Sequence, residues 1–296
     1  MSSKRILMTV AYDGTGFAGF QKQKSGVPTI AQILEEAIED LTGEKTEVLG
    51  ASRTDAGVHA LCNLAVFDTG SRIPAGKFAR ALNVRLPEQV RVLDSCEVPA
   101  DFHPRFCGTI KTYEYRIYNA PFPSPARRRY SYYSYTPFDV ERMRSAAAFL
   151  EGEHDFASFC SAHAQVNSTV REITSISVEE YPCGLEREAQ HVLDSVRRIR
   201  PEEEILQAPE GAFAAGSLAP REIIIRVSGK GFLYNMVRII AGTLMEAGRG
   251  AIEPEQMPDI LAAKDRSAAG PTAPPEGLTL VNYEFLETHT EELTDS

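Results

Sequence analysis

Apolar positions along the chain alternate between two kinds of pattern. Residues 4–12 (KRILMTVAY) make a short run with an apolar centre and read as a buried strand. From Thr29 the period becomes helical: Ile30, Ile33, Leu34, Ala37, Ile38 and Leu41 fall on one stripe. Thr29 and Gln32 have capping-box spacing, and Gly43 sits where such a helix would end. Residues 46–51 and 61–68 read as strands around a Gly-containing loop. Pro74 opens a short helix reaching about Leu82, and 90–98 (VRVLDSCEV) reads as a further strand. The order β-α-β-β-α-β is that of a ferredoxin-like or RRM-like unit.

The second half runs through a longer version of the same order. Residues 108–118 predict a strand, and Pro137 with Asp139 introduces a helix bearing Val140, Met143, Ala147 and Leu150. Strands follow over 172–181 and 222–228. A helix from about Leu233 carries Met236, Val237, Ile240, Ala241 and Leu244, and a short one follows Pro254. Residues 278–285 close as a strand. The expected fold class is α+β: two ferredoxin-like/RRM-like subdomains sharing one large mixed, mainly antiparallel sheet, with helices on one face. The expected subdomains are 1–107 and 108–286. Residues 183–220 lack periodicity and read as a surface insertion, and 287–296 as an acidic tail.

Composition narrows the class. The 296 residues are 43% hydrophobic and 24% charged, ordinary values for a folded chain. No apolar run approaches the ~18 residues of a membrane span, so no membrane partner is expected. The start, Met1-Ser2-Ser3-Lys4-Arg5, shows no signal-peptide core, and a cytoplasmic location is expected. Five widely spaced cysteines without a C-x-x-C fit a reducing compartment. Six histidines form no H-x-x-x-H or H-E-x-x-H pattern, so no metal site is expected.

The formal charge is −10, which argues against a polyanionic partner. Its distribution weakens that objection. Residues 179–204 hold eight acids against four bases, and 284–296 hold five acids and no base. Residues 101–130 go the other way, with two acids and six bases.

Two motifs carry candidate chemistry. Gly14-Thr15-Gly16-Phe17-Ala18-Gly19 fits the dinucleotide-binding G-x-G-x-x-G. That function needs a helix opening within the glycine run, so that its N-terminus meets the pyrophosphate. The clear helix starts only at Thr29, and a tight turn with positive φ is the better reading. The segment Gly50 to Ala60 (GASRTDAGVHA) is sharper. In extended chain Arg53 and Asp55 point the same way. A guanidinium beside a carboxylate would keep that carboxylate ionised below its free pKa. Asp-Ala-Gly then turns the chain and presents the acid, as a carboxylate nucleophile requires. A loop ion pair with an Asx-turn is the competing reading.

At these residues the chain resembles a known family. Tyr12-Asp13-Gly14-Thr15, Gly19-Phe20-Gln21 and Ser52 to Ala60 are similar to motifs of the TruA family of tRNA pseudouridine synthases. So, in the same order, are Lys111 to Tyr115 (KTYEY), Gly152 to Phe159 (GEHDFASF), Phe232 to Gly242 (FLYNMVRIIAG), Lys264-Asp265-Arg266 and Pro274 to Leu278 (PPEGL). The resemblance implies a central catalytic cleft and isomerisation of uridine to pseudouridine in the anticodon stem-loop of tRNA. It implies no cofactor, a cytoplasmic homodimer, Asp55 as nucleophile and Arg53 as its partner. It also implies Tyr113 in the active site, Arg238 closing the pocket, and Phe20 and Gln21 in substrate binding. The stretch from Cys183 to Pro220 is longer than the family's usual hairpin.

The residue chemistry agrees. Lys111, Tyr113 and Tyr115 alternate on one sheet face, as a base-stacking platform would; a cross-strand aromatic pair in a core is the other reading. Arg238 lies in an apolar helix on one stripe with Asn235 and Gly242, and a charge there must pair or face a cavity. Arg127, Arg128 and Arg129 are candidates for phosphate contact, or a solvated basic loop. A non-catalytic RNA-binding module on the same platform is the alternative function.

Overall fold

The computed structural model describes residues 3–23, 26–161, 167–183 and 219–286. Helix α1 (Ile30–Thr42) forms where its apolar stripe predicts it. The Thr29 hydroxyl accepts from Gln32 N, and Gly43 closes the helix at φ 73°. The capping box is one-sided, because the Gln32 side chain donates forward to Glu36. Strands β1 (Lys4–Tyr12) and β4 (Val90–Val98) match their predicted runs. Helix α2 (Phe78–Leu82) follows a 3-10 turn at Ala75–Lys77.

The predicted strand over 46–51 shrinks to β2, Leu49–Gly50, against β3, His59–Thr69. The reason is competition for one edge. β2 pairs β3 only at Val66 and Ala65, and the chain then leaves the sheet. The vacated edge is taken in parallel by β10 (Leu278–Phe285), at His59 and Ala60.

The second half supplies β5 (Thr109–Asn119), β6 (Tyr132–Ser134), helix α3 (Val140–Ala148), β7 (Gly152–Asp155), β8 (Val170–Pro182) and β9 (Arg221–Gly229). Helix α4 (Met236–Gly248), helix α5 (Met257–Ala263) and β10 follow. The strands form one ten-stranded sheet ordered β4-β1-β3-β10-β5-β9-β8-β7, with β2 and β6 as side pairings. Each half repeats a ferredoxin-like order, the last strand beside the first and the first beside the third.

Registers show which face the helices cover. Ile6 pairs Phe67 and Met8 pairs Ala65, while Leu278 pairs Tyr115 and Leu280 pairs Tyr113. All of these join Leu34, Phe78, Met143, Ile240 and Leu244 in one core. The helices therefore lie on one face, and this single core spans both halves. β6 and β7 were not foreseen; each is short and amid turn-forming sequence. α4 begins at Met236, not Leu233, because Asn235 adopts a left-handed φ of 61° that interrupts the helix. Most of the expected insertion, 184–218, and the tail, 287–296, lie outside the described residues.

Candidate active site

Asp55 sits on a loop held from behind by the glycine run. Phe20 N donates to Thr54 O at 3.1 Å, and Gly57 N to Phe17 O at 3.2 Å. A Cβ on Gly14 would lie 2.1 Å from Val58 O, and one on Gly19 2.5 Å from Thr54 O. These glycines let two backbones touch; they cradle a loop, not a phosphate. Val58 N donates to Asp55 O at 3.1 Å, closing a turn whose third residue, Gly57, has φ 78°. Asn63, fully buried in β3, accepts from Ser52 N and donates to Ser52 O and the Tyr12 hydroxyl. Tyr12 in turn bonds Thr54 at 2.7 Å. The backbone on both sides of Asp55 is thereby fixed.

The Asp55 side chain makes no hydrogen bond among the described residues, so no Asx-turn engages it. Its nearest cation is Arg238, Nη1 to Oδ2 at 3.8 Å. Two expectations are corrected here. Arg53 forms no ion pair with Asp55: it is exposed and shares only the cavity wall. The Asp55 carboxyl is held above its ordinary pKa, because burial outweighs the attraction of Arg238.

Arg238 is itself clamped. Its Nε donates to Ala273 O at 2.7 Å and Nη1 to Asn235 Oδ1 at 2.8 Å. Gly242, one helical turn on, admits Pro271 O where a Cβ would lie 1.8 Å away. The stripe Asn235–Arg238–Gly242 thus docks residues 271–273 onto α4, and the guanidinium is aimed at Asp55. The adjoining Pro274 O accepts the Tyr115 hydroxyl at 2.9 Å.

That last bond corrects another expectation. Tyr115 is fully buried, and its face cannot receive a base. Tyr113, two residues earlier, reaches the cavity wall, with its ring edge-on to Phe232 at 5.3 Å. Its phenol pKa is pushed up to about 12, mainly by burial and further by the Asp55 charge. Lys111 also lines the cavity, with Nζ 5.5 Å from the Tyr283 ring centre. Phe20 is buried under Gly50 and packs the core, leaving Gln21 on the wall. Arg127 turns to Glu222 at 3.2 Å and away from the cavity. Arg128 and Arg129 are exposed and do not line it.

The cavity holds about 800 Å³ and draws walls from both halves of the chain. Among the described residues, seven cations line it (Lys22, Arg53, Arg105, Lys111, Arg171, Lys230 and Arg238), with Asp55 as the one carboxylate. Four of these seven, Lys22, Arg105, Arg171 and Lys230, were not anticipated, because their convergence is set by long-range pairing. Asn63 had a local signal, a lone amide inside an apolar strand. No described helix is long and apolar enough to cross a membrane.

An acidic chain that gathers cations around one partly buried acid offers an anionic partner a local basic surface. The comparisons with known proteins are consistent with this. A family model described as tRNA pseudouridine synthase matches residues 8–107 and 146–285. The chain is 40% identical to tRNA pseudouridine synthase A of Acetivibrio thermocellus over 282 residues, covering 95% of this chain and 100% of that one. It is 41% identical to tRNA pseudouridine synthase A 2 of Clostridium tetani over 280 residues, covering 94% and 97%. A Caldicellulosiruptor bescii protein named tRNA pseudouridine synthase A is 39% identical over 283 residues, covering 95% and 100%. The chain belongs to the tRNA pseudouridine synthase family.

Proposed function

We propose that this protein isomerises uridine to pseudouridine in tRNA, with Asp55 as the group that starts the reaction. One observation carries the reading: a partly buried carboxyl with no hydrogen bond, facing a cavity whose other charged residues, among those described, are all cations. The reaction breaks the N1–C1′ bond and forms C5–C1′. The C5 proton leaves and N1 gains one, so no atom is lost and no electron acceptor is needed. Asp55 attacks C1′ or removes a sugar proton; both need the ionised carboxylate that Arg238 favours.

The target base must leave its stack, at a cost of a few kcal/mol. The cationic walls offset this by binding the strand's phosphates. Tyr113 packs on the extruded ring, and its hydroxyl, protonated at neutral pH, serves the proton transfer at C5. The same reading has the protein acting as a cytoplasmic homodimer on the anticodon stem-loop, as two subdomains, 1–107 and 108–286. Family likeness supports these points.

The test is tritium release from tRNA labelled with [5-³H]uridine. Release by the wild type and none by Asp55→Asn is expected. Tight tRNA binding without release by the wild type would make the protein a binding module.

A further inference from the structure

One wall of the cavity carries charge that chemistry at Asp55 does not use. Arg53, Arg105 and Lys111 line it together. The strap Gly50–Arg53 organises them. Arg105 Nε donates to Gly50 O at 2.8 Å, Lys111 Nζ lies 3.4 Å from Ala51 O, and Arg53 follows on the same segment. The three charges feel one another. Burial, and after it Arg105 and Arg53, hold the Lys111 ammonium below its usual range. Burial and Arg53 do the same to Arg105, with Glu47, which makes no ion pair to it, opposing them more weakly.

Of the four other cations of the cavity, Arg171 donates to the backbone oxygens of Ser168 and Val170, and three are answered by acids. Lys22 pairs Glu35, Lys230 pairs Glu172, and Arg238 faces Asp55. Among the described residues, none of Arg53, Arg105 and Lys111 has an ion pair. Like charges assembled without a paired carboxylate destabilise a fold until an anion completes them. Two guanidinium forks and one ammonium match the oxygens of a phosphate.

We propose that Arg53, Arg105 and Lys111 form an anion subsite that takes one phosphodiester group of the RNA strand, beside the nucleotide held at Asp55. This rests on the functional reading above, and it gives Arg53 a substrate-positioning role in place of orienting Asp55. Holding the backbone at one phosphate lets the adjoining nucleotide swing out against a fixed pivot.

The experiment uses the full chain and a tRNA stem-loop. Tritium release by the wild type is measured first; its absence would remove the functional reading whatever the variants do. Binding is then followed across a salt series for Arg53→Gln, Arg105→Gln, Lys111→Gln and the three combined. Each single variant should reduce the slope of log affinity against log salt in part, and the triple variant by about 0.7–0.9, one phosphate contact. Lys77→Gln, exposed and outside the cavity, should keep the wild-type slope. Arg53 is exposed and makes no hydrogen bond among the described residues, so its variant tests the subsite without risk to folding.

A stem-loop with one methylphosphonate beside the target uridine should bind the wild type about tenfold more weakly. The penalty should be smaller in Arg53→Gln, and absent when Arg53, Arg105 and Lys111 are all replaced by Gln. Wild-type slopes in the single and triple variants, or an equal methylphosphonate penalty in wild type and triple variant, would overturn the proposal. Inorganic phosphate, titrated by calorimetry, separates the two sources of this chemistry. Saturable binding lost in Arg53→Gln, with RNA affinity indifferent to the methylphosphonate, would replace RNA by free phosphate and also overturn it.

Discussion

Asp55 takes its counter-charge from Arg238, whose Nη1 lies 3.8 Å from Oδ2, and not from Arg53 two residues away in the chain. The balance at that contact has a definite sign. Burial lifts the Asp55 pKa above its ordinary value and Arg238 pulls it part of the way back. Activity that needs the ionised acid should therefore fall, as pH drops, at a point above the ordinary aspartate range. Arg238→Gln removes the downward pull and leaves the burial, so the acid limb of kcat/KM should move to higher pH. Turnover at neutral pH should fall about 10²-fold as the geometry loosens. A limb that stays in place or moves to lower pH would show that Arg238 does not act on Asp55.

The same raised pKa makes a stability prediction for Asp55→Asn. An acid with a folded pKa above its unfolded one stabilises the fold at pH below the unfolded value. That contribution is lost as pH rises through the folded value. At neutral pH the ionised group is a burden that the amide removes. The variant should melt at or above the wild-type Tm while tritium release falls about 10⁴-fold or more. A clear drop in Tm at neutral pH would mean the carboxylate is part of the fold's support.

Tyr113→Phe keeps the ring and removes a hydroxyl that burial holds protonated, with its pKa pushed up to about 12. Stem-loop affinity should stay within about twofold, since stacking belongs to the ring. If the hydroxyl serves the proton transfer at C5, kcat should fall about 10²- to 10⁴-fold. Single-turnover kinetics separate the two effects, and a wild-type kcat would remove the hydroxyl from the mechanism.

The glycine run offers a paired comparison. A Cβ on Gly16 meets open space, so Gly16→Ala bears only the strain of φ 84°, about 1 kcal/mol. A Cβ on Gly14 would lie 2.1 Å from Val58 O and must push the Asp55 loop. Gly14→Ala should cost about 1–3 kcal/mol or more in denaturant melts and lower kcat, whereas Gly16→Ala keeps kcat. Equal kinetic effects at the two positions would show that the run does not position Asp55.

These particulars also show what could be read from the chain and what could not. Thr29 and Gly43 bound α1 because caps are local chemistry, satisfied by groups within one turn. Alternation placed Lys111, Tyr113 and Tyr115 on one face, which is the face the helices cover. Period two says which side a residue takes, not where along the strand that side is open. Tyr115 therefore ends under Pro274 while Tyr113 reaches the cavity. Arg53 and Asp55 were paired by proximity in sequence. Burial and the reach of α4 decided the real partner, and both depend on long-range packing.

The two half-sheets are joined along β3 and β10 at two matched positions, Thr279 with His59 and Leu280 with Ala60. Asp55 lies on one side of that seam, and Tyr113 and Arg238 on the other. Each half therefore holds only part of the residues gathered around the cavity. Because one core runs beneath the join, a lesion there would loosen both pieces at once and carry the alignment of Asp55 with Arg238 away with it.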